Sequence, residues 1–228
     1  MSIHFQVHHA PQELTNMPPT TSPDSCILFM VRHGATDNNL ADPPLLQGRA
    51  DVPLSVAGHR QAGRTAELLA HQTIRRVYAS PLLRARQTAE AIAKPHRLNV
   101  ELVDGIQEID VGDWEGRSWQ EIAVSEPQRY HQFMADPANH GYAGGENVTD
   151  LFRRVQPAME ELLASNLGEQ IVVVGHNLVN RAFLAQLIGL PLAQVRSVNQ
   201  DNCGVSVARY RASEIKLLSM NSVFHLYD

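Results

Sequence analysis

The sequence has little of what would take it out of the ordinary globular classes. It carries two cysteines, Cys26 and Cys203, in 228 residues. Two thiols without paired spacing allow one disulfide and exclude a disulfide framework. Reduced thiols in a cytoplasmic compartment are the expected state. No apolar run approaches the ~20 residues that a helix needs to cross a bilayer, so no membrane partner is expected. Basic residues are outnumbered, 19 Lys and Arg against 24 Asp and Glu, for a formal net charge of -5. That balance argues against a nucleic-acid surface. A site for an anionic substrate must then be assembled locally, from a few placed cations. The opening stretch, "MSIHFQVHHAPQELTNMPPTTSPDS", lacks the basic start and apolar block of a secretory leader. Its Pro, Thr and Ser content predicts a flexible extension over residues 1–25. His4, His8 and His9 in it read as part of a polar tail rather than as metal ligands.

What is present suits one domain over residues 26–228. Hydrophobic residues make up 43% and charged residues 19%, enough to bury a core at this length. Ile27 to Val31 are apolar without alternation, as in a strand covered on both faces. "PLSVAGHRQAGRTAELLAH" predicts a helix with Ser55 as N-cap. "IRRVYAS" predicts a second strand. Pro81 is expected at the first position of the helix "LLRARQTAEAIA", and "LNVELV" predicts a third strand. A loop-rich stretch follows to about Gly145, with short helical pieces at 119–124 and 128–134. "ENVTDLFRRVQPAMEELLAS" predicts a long helix that Pro157 should kink or split. "QIVVVGH" predicts another buried strand, "NLVNRAFLAQLIGL" a helix, and "VSVARY" with "IKLLSM" a closing strand pair. Strands alternating with helices imply an α/β fold, a three-layer α/β/α sandwich with a mostly parallel central sheet. Oligomeric state is not legible, and a homo-oligomer stays open.

Two strand ends look alike. "FMVRHG" finishes in Arg32-His33-Gly34 and "VVVGHN" in Gly175-His176-Asn177. Ligands of open α/β sheets bind beyond the carboxyl ends of the strands, and parallel strands place both histidines on that rim. A helix starting after His176 would aim backbone N–H groups at the same place. A third strand end, "VYASPLLRA", delivers Arg84 near the start of the next helix. Any one of these residues alone reads as structural or merely solvated. Two histidines, two arginines and a helix N-terminus together make an anion trap. Gly34 is expected to let the backbone turn tightly beside the bound group.

"VRHGAT" resembles the signature of the histidine phosphatase superfamily, the phosphoglycerate mutase-like family. The resemblance extends through "LQGRADVPLSVAGHRQA", "VYASPLLRARQTAEAI", "IQEIDVGDWEG", "GGEN", "VVVGHN" and "DNCGVSV", roughly Ile27 to Tyr210. It implies a phosphoglycerate mutase-like fold and a phosphomonoester substrate. His33 would be the nucleophile that becomes a phosphohistidine. Arg32, Arg84 and His176 would surround the transferred phosphoryl group. Asn39 and the Asn177 backbone N–H would add donors. Glu108 would be the general acid and then the base for water, its proton held by repulsion from phosphate. Positive charge around His33 would keep its imidazole neutral. Gln47 and Gly48 match positions lining the substrate mouth. The resemblance implies no cofactor, and the sequence shows no carboxylate cluster suited to Mg²⁺.

Ala35, Asn38 and Gln107 depart from the commoner family pattern and are expected beside the pocket. Trp114 and Trp119 read as anchors of the loop core. The cofactor-dependent mutases of the family carry a long insertion after the Trp-Glu-Gly block. Here "RSWQEIAVSEPQRYHQFMADPANHGYA" is short. Water access to a phosphohistidine then favours hydrolysis, so the sequence reads as a phosphatase, with mutase-type transfer as the alternative and a non-catalytic phospho-ligand binder as the remote one.

Overall fold

In the computed structural model, which describes residues 21–227, six strands form one sheet. They are β1 (Ser25–Arg32), β2 (Ile74–Ala79), β3 (Val100–Leu102), β4 (Gln170–Gly175), β5 (Val205–Arg211) and β6 (Glu214–Ser222). The helices are α1 (Asp37–Leu40), α2 (Val56–Leu69), α3 (Leu83–Ala93), α4 (Trp119–Ser125), α5 (Pro127–Ala135), α6 (Val148–Ser165) and α7 (Asn177–Leu187). The strand order is β3-β2-β4-β1-β5-β6. The pairs β2–β3, β2–β4 and β1–β4 are parallel, and β1–β5 and β5–β6 are antiparallel.

The apolar strands are covered on both faces because their side chains alternate between two cores. Leu28, Met30, Ile171 and Val173 share one core with α6 and α7. Ile27, Phe29, Val31, Val172 and Val174 share the other with α2 and α3. This is the three-layer sandwich expected from the strand–helix alternation. Most of the expected N-terminal extension lies outside the described residues. Within residues 21–25, Ser25 already opens β1, and the neighbouring Asp24 pairs with Arg211 at 2.8 Å.

Three local expectations need correction. Pro157 does not split α6, which runs unbroken from Val148 to Ser165. Val148, Leu151, Val155, Met159 and Leu163 form its buried stripe, each contributing roughly 1.5–3 kcal/mol on burial. That outweighs the ~3 kcal/mol cost of an interior proline. Pro157 and Arg153 lie on the exposed face, so the carbonyl that the proline leaves unpaired faces water. Pro81 is not the first residue of α3, because Leu82 is the N-cap and the helix starts at Leu83. The Asp51 carboxylate accepts from the Leu83 N–H there, a capping role supplied from another loop. Gly34 has no left-handed backbone angle. A Cβ there would lie 2.6 Å from the Gly58 carbonyl oxygen, so the glycine serves the approach of α2 rather than a tight turn.

Candidate active site

The register of β1 on β4 builds the site. Arg32 pairs with Gly175, so His33 and His176 leave neighbouring parallel strands at the same height. Their ring centroids are 5.2 Å apart. The His33 N–H donates to the Gly175 carbonyl at 3.1 Å. The His33 carbonyl accepts from Asn202 Nδ2 at 2.9 Å, and the Cys203 N–H donates to the Arg32 carbonyl at 3.0 Å. The backbone of the candidate nucleophile is thus held from the end of β4 and from the turn that precedes β5.

The imidazole is fixed as well. Nδ1–H donates to the Gly34 carbonyl at 2.7 Å, which leaves Nε2 as the nitrogen with the lone pair. Arg84 Nε–H donates to that Nε2 at 3.3 Å. The other two nitrogens of Arg84 bond the carbonyls of Ala50 (2.7 Å) and Gly48 (2.8 Å). A side chain only 1% exposed is therefore held through each of its three nitrogens and aimed at His33, with two N–H groups left to offer. Gly48 contributes by its left-handed conformation (φ 48°), and a Cβ would meet the Val111 side chain at 2.5 Å. Thr88 ties the helix to the loop, since its hydroxyl accepts from the Gly34 N–H and donates to the Arg84 carbonyl.

Arg32 Nη1 donates to the Gln200 carbonyl at 2.6 Å, while its buried Nε has no partner among the described residues. His176 is 0% exposed, and neither of its ring nitrogens is paired there. Buried polar groups in folded proteins usually have a partner, so these nitrogens are available to a ligand. Asn39 sits in the short helix α1 and its Oδ1 accepts from the Thr36 N–H in a capping box, which leaves the amide NH2 as the group it can offer.

Charge and burial act together on the titrating groups. Burial lowers His33 well below the usual histidine range, and the charges of Arg84 and Arg32 add to it. His176 is lowered in the same way, by burial first and then by Arg84, His33 and Arg32. Burial brings Arg32 down to about 10, against the opposing pull of Glu108, so it stays cationic at neutral pH. The site therefore presents two cations and two neutral imidazoles.

Glu108 faces this group from the loop after β3. Its Oε1 accepts from the Ile109 N–H at 2.9 Å and its Oε2 from the Leu178 N–H at 3.2 Å. The acidic residue thus caps the N-terminus of α7, which begins directly after His176 as expected. Arg32, His33, Asn39, Gln47, Gly48, Arg84, Glu108 and Asn177 line one pocket with about 100 Å³ of internal space. Leu45, Leu46, Ile109, Val111 and Tyr142 supply its apolar walls. His176, fully buried, is not among the lining residues, and its ring centroid lies 5.2 Å from that of His33.

Ala35, Asn38 and Gln107 are not among the walls. Ala35 carries backbone bonds to Gln61 and Ser55, and Gln107 turns its carbonyl to Arg154. Trp114 is fully buried and meets Trp119, Phe133 and Tyr142 at 5.7–5.9 Å, the expected loop anchor. The sequence reading missed Tyr142, Gln200 and Asn202 as site components. The block "DNCGVSV" contains Asn202, but nothing in it marks that side chain as the one holding the His33 carbonyl. Both cysteines are free and buried. Among the described residues no group of three or more His, Cys, Asp and Glu is arranged to hold a metal ion. No described helix is long and apolar enough to cross a membrane.

Fold and pocket together define an α/β protein of the phosphoglycerate mutase-like class, with a pocket lined by two arginines at the carboxyl end of the parallel strands. The chain belongs to the histidine phosphatase superfamily, whose branch 1 family model matches residues 28–223. It is 31% identical to phosphoserine phosphatase 1 of Hydrogenobacter thermophilus over 199 residues, covering 87% of this chain and 93% of that one. It is 31% identical to the probable phosphoglycerate mutase GpmB of Yersinia enterocolitica over 186 residues, covering 82% and 86%. Among solved structures it resembles YhfR of Bacillus stearothermophilus with a TM-score of 0.83 and 25% identity, over 89% of this chain and all of the other. Family membership and the phosphatase-named relative support a phosphatase activity.

Proposed function

We propose that the protein is a metal-independent phosphomonoesterase that works through a phosphohistidine on a small phosphorylated metabolite. The observation that carries this reading is the state of His33. Its Nδ1 proton is tied to the Gly34 carbonyl, and its Nε2 lone pair faces Arg84 in a pocket lined by cations.

In the first step Nε2 attacks phosphorus, the N–P bond forms and the P–O ester bond breaks. Glu108 gives its proton to the departing alkoxide. Arg84 and Arg32 take the equatorial oxygens, where charge gathers in the transition state, and His176 and Asn39 bind beside them. The Asn177 N–H, at the start of α7, is a further donor. Gln47 and Gly48 line the entry. In the second step Glu108 takes a proton from water, the water oxygen attacks phosphorus, and the N–P bond breaks to release phosphate. The free, buried thiols fit a reducing, cytoplasmic setting.

The test is phosphate release from a panel of phosphomonoesters with chelator present, with acid-labile protein phosphate measured on rapid quenching. We expect release to survive chelation and to vanish in His33→Ala. Sustained turnover by His33→Ala, or loss of all activity on chelation, would overturn the mechanism. The similarity to a probable mutase makes transfer back to substrate the second reading.

A further inference from the structure

We infer that Arg154, acting with Glu146, is the positioning residue that sets Glu108 for proton transfer. The inference rests on the role just proposed for Glu108.

Arg154 leaves α6 in its second turn and reaches the loop that carries the acid. Its Nη1 donates to the carbonyls of Gly105 (3.1 Å) and Gln107 (2.6 Å), and its Nη2 to the carbonyl of Glu108 itself (3.0 Å). Three carbonyls within four residues are gathered on one planar cation. That loop has no strand or long helix to hold its shape, only a short turn at Asp104–Ile106. The same guanidinium grips Glu146 in a fork, Nε to Oε1 at 3.0 Å and Nη2 to Oε2 at 2.9 Å. Glu146 Oε2 then accepts from the Asp110 N–H at 2.9 Å, on the other side of Glu108. The acid is therefore clamped from residues 105, 107, 108 and 110 at once, and its carboxylate has little freedom except that allowed by its own side chain.

The network also reaches the phosphate side of the pocket. Arg49 Nη2 donates to Glu146 Oε1 at 3.1 Å, and Arg49 sits between Gly48 and Ala50, whose carbonyls hold Arg84. One ionic chain thus ties the loop of the acid to the loop of the phosphate clamp. Burial pushes the Glu146 carboxyl up, but bonds from Arg154 and the Asp110 N–H, with the charges of Arg154 and Arg49, leave it below the ordinary value. It stays charged through neutral pH, and the clamp with it. Nothing in the sequence pattern marks Arg154, which follows Arg153 on a helix where most basic residues are solvated.

Position and chemistry can be separated by the leaving group. Breaking an ester to a good leaving group needs no proton, so kcat/KM for nitrophenyl phosphate is insensitive to where Glu108 points. Release of an alkoxide depends on it, and misplacement of a catalytic group by about 1 Å costs on the order of 100-fold. The experiment measures kcat/KM of Arg154→Lys and Arg154→Met on nitrophenyl phosphate and on an alkyl phosphate, beside Glu108→Gln and His33→Ala. Thermal midpoints show which variants are folded.

We expect Arg154→Met to lose about 10-fold or more on the alkyl ester relative to nitrophenyl phosphate. We expect Lys to rescue little, since a point charge cannot span three carbonyls and a forked carboxylate. If Met does not fold, Lys alone decides by the same ratio. Equal loss on both substrates, no loss, or full rescue by Lys in a folded protein would overturn the inference. If His33→Ala stays active, or Glu108→Gln loses equally on both esters, the underlying mechanism fails instead. A selective defect in Glu108→Gln without one in Arg154→Lys removes only the positioning role.

Discussion

At the scale of single residues, the proton affinity of His33 follows from where its two nitrogens point. Burial, then Arg84, then Arg32 favour the neutral ring, and the Gly34 carbonyl only partly opposes them. The native state therefore refuses a proton that the unfolded chain accepts near pH 6.5. The stability associated with the neutral ring is therefore complete above pH 6.5 and is lost as pH falls toward the lower, folded value. We expect an NMR titration of the free enzyme to show His33 neutral from pH 8 to below 6.5. Arg84→Gln should move its midpoint upward and weaken transition-state binding by roughly 2–4 kcal/mol. A midpoint at the ordinary value in the unsubstituted protein, or no movement in the variant, would show that Arg84 does not govern the ring. In the sequence, Arg32, His33, Arg84 and His176 were marked as candidates by motifs at or near strand ends, and Glu108, in a loop, by the family resemblance alone. Arg154 and Asn202 were not, because what they hold is backbone, and a carbonyl has no letter in the sequence.

At the scale of elements, α2 approaches the turn after β1 so closely that two of its glycines have opposite duties. A Cβ on Gly58 would lie 2.0 Å from the Ala35 carbonyl oxygen, which already accepts from the Ser55 N–H and hydroxyl. A Cβ on Gly63 would meet nothing within 4 Å. Helix propensity favours alanine over glycine by about 1 kcal/mol at either place. Overpacking against backbone costs about 1–3 kcal/mol and acts at Gly58 alone. We expect urea unfolding to show Gly63→Ala more stable by up to ~1 kcal/mol and Gly58→Ala less stable, with the site disturbed through Ala35. Equal, stabilising shifts in both would mean that α2 does not pack as described. The helix itself was legible down to its cap, since Ser55 and the apolar spacing depend on neighbours in sequence. Its distance from Gly34 was not, because contacts across 24 residues leave no local pattern. The same limit explains Pro81: its expected place at the helix start ignored a cap, Asp51, that arrives from another loop.

At the scale of the whole molecule, an acidic chain places two buried arginines at one pocket, and the cover over that pocket decides what the phosphoenzyme does next. The segment that would form a lid is tied into an aromatic cluster. Trp119 stacks on Phe133 at 5.3 Å, Phe133 meets Tyr142 at 4.5 Å, and Trp114 meets Phe133 edge-on at 5.8 Å. Of residues 117–147, Tyr142 is the one that lines the pocket. A mutase must keep its alcohol beside the phosphohistidine and keep water out until the phosphoryl group returns. A segment anchored in this aromatic cluster offers one tyrosine for that task. With 3-phosphoglycerate and a bisphosphate primer, ³¹P NMR should therefore show inorganic phosphate forming faster than the 2-phospho isomer, and the primer should not raise the rate. Primer-dependent isomerisation outrunning phosphate release would mean that α4 and α5 close over the pocket when substrate binds, and would place the chain with its mutase-named relatives rather than with the phosphatases.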